Sequence, residues 1–325
     1  MGTLYIDRKD VELRRDGACM SLYEQGERSG SIPFSQLERV VIFNHAVLDT
    51  GVLGALAEHG VSLVTLSARR PERTAQLLGR AHNAAARRIA QYRLSLDDAW
   101  RTRWSGILVK RKLLAQRALL AQAMAARPDV RHALFGALAQ INERITSLAC
   151  PSGRDSIRGI EGAGASAYFK GYCALFAPEL DFTGRNRRPP KDPVNSCLSL
   201  AYTLAHADAV IACHAAGLDP LIGFYHDLSF ARESLACDLV EPLRPRVDAW
   251  VWGLFRNRTL RPDHFSLDKS ACLLGKTGRR EFYIAWEAFA PHLRRRLRAY
   301  ARLIVRALER ESIAVVSVTE EDDPQ

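Results

Sequence analysis

Asn83 to Ala125 reads NAAARRIAQYRLSLDDAWRTRWSGILVKRKLLAQRALLAQAMA. The stretch is rich in Ala, Leu, Arg and Lys, which lose little side-chain freedom in a helix. Its apolar residues recur every three or four positions, which predicts long amphipathic helix with breaks at Ser95 or Gly106. The residues before it have a different period. TLYID (3–7), VELRR (11–15), CMSLYE (19–24) and RVVIF (39–43) are short, β-branched or aromatic, and separated by turn residues. DTGVLGALAEHG (49–60) predicts a short helix capped by Asp49 or Thr50 and closed at Gly60, and VSLVTLS (61–67) predicts one more buried strand. The residues after it are helical in pattern, over 129–148, 155–176, 193–216, 229–256 and 281–311. The expected fold is therefore α+β with two domains, a small strand-rich one over 1–82 and a larger all-α one over 83–325.

The chain has 325 residues, 47% hydrophobic and 25% charged, the profile of a soluble globular protein. No secretory leader is visible, nor any uncharged apolar run of membrane-spanning length. Seven cysteines stand singly without a CxxC pair, which argues against zinc and disulfide frameworks and favours a reducing cytoplasm. The net charge is +10, and its distribution is uneven. Residues 1–83 hold 10 basic and 10 acidic residues, so the helical part carries the whole excess. A basic half suits a polyanion such as nucleic acid, although solubility charge on helix faces gives the same count. Four acids form the tail Glu320 to Asp323, where a frayed end is expected.

Chemistry-bearing residues concentrate in the helical part. Glu161 lies in RGIEGAGASAYF (158–169), a segment of small residues, with Gly164 and Ala165 at the positions that would otherwise crowd it. His226 lies in GFYHDLSF, and Asp238 and Glu241 in SLACDLVEPLRP, three apart and so on one helix face before Pro242. Carboxylates with one imidazole suit Mg²⁺ or Mn²⁺ better than zinc. Each residue also has a plain reading: Glu161 paired with Arg158, His226 satisfied by backbone, Asp238 and Glu241 answering Arg232 or Arg244 on a solvated face. Spacing alone does not bring residues 65 apart together.

Other features are less specific. TGRNRRPPK (183–191) is a proline-stiffened loop whose Arg185, Arg187, Arg188 and Lys191 suit phosphate, or salt bridges within the protein. Asp192 caps the next helix with Pro193 at its first position, and Gly217 closes it before Pro220. LLGKTGRREF is no phosphate loop, since Ser270 stands where a glycine is required; Lys276, Arg279 and Arg280 read as a basic turn near DNA. Arg294 to Arg296 with Arg298 read as a solvated helix face. Tyr168, two helical turns after Glu161, is either a DNA-end contact or a half-buried core tyrosine.

Four blocks, RGIEGAGASAYF, RNRRPPKDPVNSCLSLAYTL (185–204), GLDPLIGFYH (217–226) and SLACDLVEPLRPRVD (234–248), resemble in order and spacing the signature blocks of CRISPR-associated protein 1, the spacer-acquisition integrase. IPFSQLERVVIF (32–43) and LGALAEHGVSLVTLS (53–67) resemble its strand-rich domain. The resemblance implies that Glu161, His226 and Glu241 are metal ligands for Mg²⁺ or Mn²⁺, with Asp238 a catalytic residue at the same site whose direct ligation is open. It implies attack of a 3′-hydroxyl of captured double-stranded DNA on a phosphodiester at the edge of a CRISPR repeat. It further implies a homodimer built through the strand-rich domain and a larger complex with CRISPR-associated protein 2, in the cytoplasm and without a membrane. A transposon-borne integrase with the same site and a non-catalytic DNA scaffold are the alternatives.

Overall fold

The computed structural model describes residues 2–43, 45–66, 75–77, 84–186, 189–230, 232–268 and 271–321, without side chains beyond 311. The chain divides into two compact units, Met1–Asn83 and Ala84–Gln325. The first contains β1 (Gly2–Ile6), β2 (Val11–Asp16), β3 (Cys19–Glu24), β4 (Glu27–Pro33), β5 (Leu37–Ile42), β6 (Ala46–Leu48), α1 (Thr50–Glu58), β7 (Ser62–Thr65) and β8 (Ala75–Leu77). One four-stranded sheet has the order β1-β5-β7-β8 and the other β4-β3-β2-β6. Leu13, Met20, Phe34, Val40, Val52 and Leu56 meet in its core. Asp49 is the α1 cap, accepting from the Gly51 N–H at 3.0 Å, and Gly60 at φ +67° ends it. Strand β4, ERSGSIP, escapes the sequence reading. It is a polar edge strand with an internal glycine and a terminal proline, so it has no alternating apolar face to announce it.

The second unit contains α2 (Ala85–Ser95), α3 (Asp98–Ala126), α4 (Arg131–Ser147), α5 (Arg154–Cys173), α6 (Pro193–Ala215), α7 (Ser234–Val240), α8 (Arg244–Arg256), β9 (Phe265–Asp268), β10 (Ala271–Leu274) and α9 (Lys276–Glu321). The chain breaks at Leu96–Asp97, where Asp97 accepts from the Trp100 N–H at 2.9 Å, and runs straight through Gly106. The unit is not all-α. FSLD and ACLL form an antiparallel hairpin, and the Cys272 N–H donates to the Pro190 carbonyl at 2.7 Å. Helix α9 starts five residues before the expected 281 and runs past 311 to Glu321; the last two acids of the tail lie outside the described residues. Arg294 does not belong to a solvated face: it is buried and pairs with Asp208 of α6 at 3.1 Å, whereas Arg295, Arg296 and Arg298 are exposed.

Helix α6 is long and apolar enough to cross a membrane by length and composition, but it is not an uncharged run: it is packed largely inside the unit and carries the Asp208–Arg294 pair. Asp192 caps it by accepting from the Asn195 N–H at 2.8 Å. Helix α5 packs on α3 and α4. A Cβ on Gly164 would lie 2.4 Å from Leu113 Cδ2, and one on Gly171 would lie 2.8 Å from Ala137 Cβ. The clearance at Gly164 therefore admits the neighbouring helix α3. Overpacking of this kind costs about 1–3 kcal/mol. Gly164→Ala should lower the thermal midpoint, read by circular dichroism, if the clash with Leu113 exceeds the roughly 1 kcal/mol that alanine gains over glycine in a helix; a raised midpoint would mean that Leu113 yields freely.

Candidate active site

Glu161 stands on α5, Glu241 directly after α7, and His226 on the loop between α6 and α7. Pro242 turns the chain into a single turn of 3-10 helix, Glu241–Leu243, before α8. The residue that joins these elements is Lys112 of α3, unnoticed in the sequence. Its Nζ donates to Glu161 Oε1 at 2.5 Å and to Glu241 Oε2 at 2.6 Å, and the residue is only 8% exposed. Arg244 holds the other Glu241 oxygen, Nε to Oε1, at 2.8 Å, and lies over the Tyr202 ring. Glu241 does answer Arg244, but at 6% exposure it is no solvated residue. Arg158, in turn, pairs with Asp155 and Asp227 and leaves Glu161 to Lys112.

The charges hold one another in place. Burial alone would raise the Glu241 carboxyl, but Arg244 and Lys112 outweigh it and hold the group well below its ordinary range. Burial would lower the Lys112 ammonium, yet Glu241 and Glu161 raise it. Burial, with Glu161 and Glu241, pushes the Tyr225 phenol far up, so it stays protonated beside the carboxylates.

Asp238, 2% exposed, shapes the His226 loop. Its Oδ2 accepts from the Phe224 and Tyr225 N–H groups at 2.7 and 2.9 Å, and its Oδ1 accepts from the His226 N–H at 3.0 Å. The same Oδ1 meets His226 Nδ1 at 2.7 Å. An ionised carboxylate only accepts, so Nδ1 carries a proton toward Asp238, and in the neutral ring Nε2 is the acceptor nitrogen, 4.0 Å from Glu241 Oε1. Both Asp238 oxygens are thus engaged, and they hold the His226 loop and ring in place. Gly223 permits the fit, because a Cβ there would lie 2.8 Å from the Ser234 backbone. The next residue after His226, Asp227, gathers Arg101 at 2.6 Å, Arg154 at 2.9 Å and Arg158. Burial opposes ionisation of Asp227, but these arginines hold its carboxyl well below the ordinary range.

The donors able to hold a hard divalent ion are therefore Glu161, Glu241 and His226 Nε2. A cationic nitrogen already sits between the two carboxylates, which fits the donor set to a cation. As the side chains stand, no three His, Cys, Asp or Glu residues among the described ones are close enough to hold an ion.

The expected DNA contacts do not gather here. Tyr168 is fully buried, and its hydroxyl donates to Asp248 at 2.7 Å, so the DNA-end contact is replaced by a core role. Tyr202 bonds the other oxygen of Asp248, whose carboxyl burial raises to about 6. Arg185 turns inward onto Asn195 at 2.8 Å and Ser199 at 3.1 Å. Asn195 ties this loop by also bonding Gly184 and Asn186. Arg187 and Arg188 lie outside the described residues. Lys191 is exposed. Lys276, Arg279 and Arg280, read as a basic turn, lie at the start of α9; Lys276 and Arg280 are exposed, and Arg279 donates to the Leu274 carbonyl at 2.9 Å. Cys237 is half-buried 4.0 Å from His206 Nδ1, and His206 Nε2 meets Glu233 at 2.6 Å.

Lys112 did leave a signal. Trp100, Ser105, Leu108, Lys112, Gln116, Leu119 and Ala123 form one buried stripe of α3, and a lysine in an inward register demands anions. Because Glu241 titrates lower when folded, its stabilisation is complete above its ordinary 4.5 and is lost as pH falls below that value. In metal-free buffer, Glu241→Gln should cost about 3–5 kcal/mol at pH 7. It should also flatten the loss of thermal midpoint below pH 4.5; an unchanged acid slope would remove Glu241 as the coupled group.

The profile of the family described as CRISPR associated protein Cas1 matches residues 4–288. The chain is 40% identical over 297 residues to CRISPR-associated endonuclease Cas1 1 of Thermodesulfovibrio yellowstonii, covering 90% of this chain and 93% of that protein. Its fold is similar to that of a CAS1 protein from Thermotoga maritima, with TM-score 0.81 at 20% identity over 95% and 97% of the two chains. A casposase bound to its integration product matches with the same TM-score and identity, over 94% and 91%.

Proposed function

Since this chain belongs to the CRISPR-associated Cas1 family, we propose that it is the metal-dependent integrase and endonuclease of CRISPR adaptation. The observation that carries the reading is that Glu161 and Glu241, from separate elements, share one cation, the Lys112 ammonium, while His226 Nε2 lies 4.0 Å from Glu241 Oε1. Glu161, Glu241 and His226 would hold Mg²⁺ or Mn²⁺. When bound, such an ion lowers the pKa of an attacking hydroxyl and offsets charge at phosphorus.

The protein's own residues do the rest. Asp238 keeps the His226 proton on Nδ1 and turns Nε2 toward Glu241. Arg244 keeps Glu241 ionised and fixed. The reaction is attack of a 3′-hydroxyl of a captured duplex fragment on a phosphodiester at the edge of a CRISPR repeat; water in place of that hydroxyl gives cleavage. The exposed Lys191, Lys276 and Arg280 are the phosphate contacts of this reading. The working form is a homodimer formed through the strand-rich unit, joined by CRISPR-associated protein 2 in the cytoplasm. A casposase-like donor is the second reading, on the equal structural likeness; the curated relative at 40% identity favours the CRISPR one.

Glu161→Ala and His226→Ala should abolish strand transfer in a Mn²⁺-supplemented assay with the partner protein, while duplex affinity by anisotropy without added metal stays near wild type. Asp238→Asn should slow it by about 10–100-fold. Wild-type rates in the two alanine variants would overturn the site. Preference for long terminal inverted repeats without the partner would select the second reading.

A further inference from the structure

The position of Lys112 bears on how metal and DNA bind, given the metal site proposed at Glu161, Glu241 and His226. Its ammonium bonds both carboxylates assigned to the ion, and it reaches them from a buried stripe flanked by Leu108, Val109 and Leu113. Without a cation between them, two carboxylates packed this closely repel. An incoming divalent ion must therefore take Glu161 and Glu241 away from Lys112. The displaced ammonium stays tethered beside the ion, a like charge in a poorly solvated place. Arg244 cannot offset this, being a second cation fixed on Glu241 and over Tyr202. His226 Nδ1 faces Asp238 and its Nε2 faces Glu241, so it offers no anion either. What relieves the ammonium is an acceptor that brings negative charge with it, and a DNA phosphate is such a group.

We infer that Lys112 is a built-in counter-cation that competes with the divalent ion for Glu161 and Glu241 and makes metal and phosphate binding cooperative. In the metal-free protein it keeps the two carboxylates assembled. In the loaded protein it becomes a phosphate ligand. Metal affinity is held down until the DNA arrives, and by reciprocity the metal raises affinity for the DNA.

The test is calorimetric titration of Mn²⁺ into full-length wild type, Lys112→Met and Lys112→Arg. It is run without DNA and with a short duplex whose 3′-dideoxy end cannot react. Without DNA, Lys112→Met should bind Mn²⁺ about 10-fold more tightly than wild type, within the usual range of coupling factors. The duplex should tighten Mn²⁺ binding about 5-fold or more in wild type and Lys112→Arg, but hardly at all in Lys112→Met. Lys112→Met should also melt lower without metal and gain more on adding Mn²⁺. If that variant folds only when Mn²⁺ is present, the inference is supported; if Mn²⁺ does not rescue it, the inference fails. Lys112→Met binding Mn²⁺ no more tightly than wild type overturns the inference and leaves the metal site standing. Wild type that binds no Mn²⁺ with or without DNA overturns the metal site itself and the inference with it.

Discussion

A buried ammonium between a buried and a half-buried carboxylate is the constraint around which the helical unit is arranged. Lys112, Glu161 and Glu241 come from α3, α5 and the turn after α7, and none of the three can be desolvated alone at tolerable cost. Their mutual satisfaction sets the approach of α3 to α5, and Gly164 provides the close contact that this approach needs. The same arithmetic explains why Glu241 tolerates near-complete burial. It receives Lys112 on one oxygen and Arg244 on the other, so each of its oxygens has a charged donor.

The histidine is placed by a different device. Asp238 spends both oxygens on three consecutive backbone N–H groups and on His226 Nδ1, so one carboxylate fixes a loop and a tautomer together. A carboxylate so engaged has little left to offer an ion. Two acids three residues apart on one helix face therefore have distinct parts, one facing the cation and one holding the imidazole. In a Cas1 family member this separates the residues that would bear the chemistry from those that keep it in register.

Much of this was legible in the sequence. The change from strand period to helix period, the caps at Asp49 and Asp192, the left-handed glycines at 60 and 217 and the turn at Pro242 all follow from local chemistry. The four signature blocks marked Glu161, His226, Asp238 and Glu241. The misses have one cause in common, since each residue is decided by a partner far away in the chain. Tyr168 belongs to Asp248 and Arg294 to Asp208, while Arg185 belongs to Asn195 and Ser199. Strand β4 and the hairpin β9–β10 went unread because short, half-exposed strands carry little period of their own.

The amino-acid order by itself determined the family, the α+β division and the residue types able to hold a hard cation, because those depend on local period, composition and motif. The tertiary structure alone decided which carboxylate faces the cation, which nitrogen of His226 is free, and that a lysine of α3 completes the group. The physical reason is that burial and charge pairing belong to the packed chain. Residues 49 and 129 positions from Lys112 become its partners only when the helices have met.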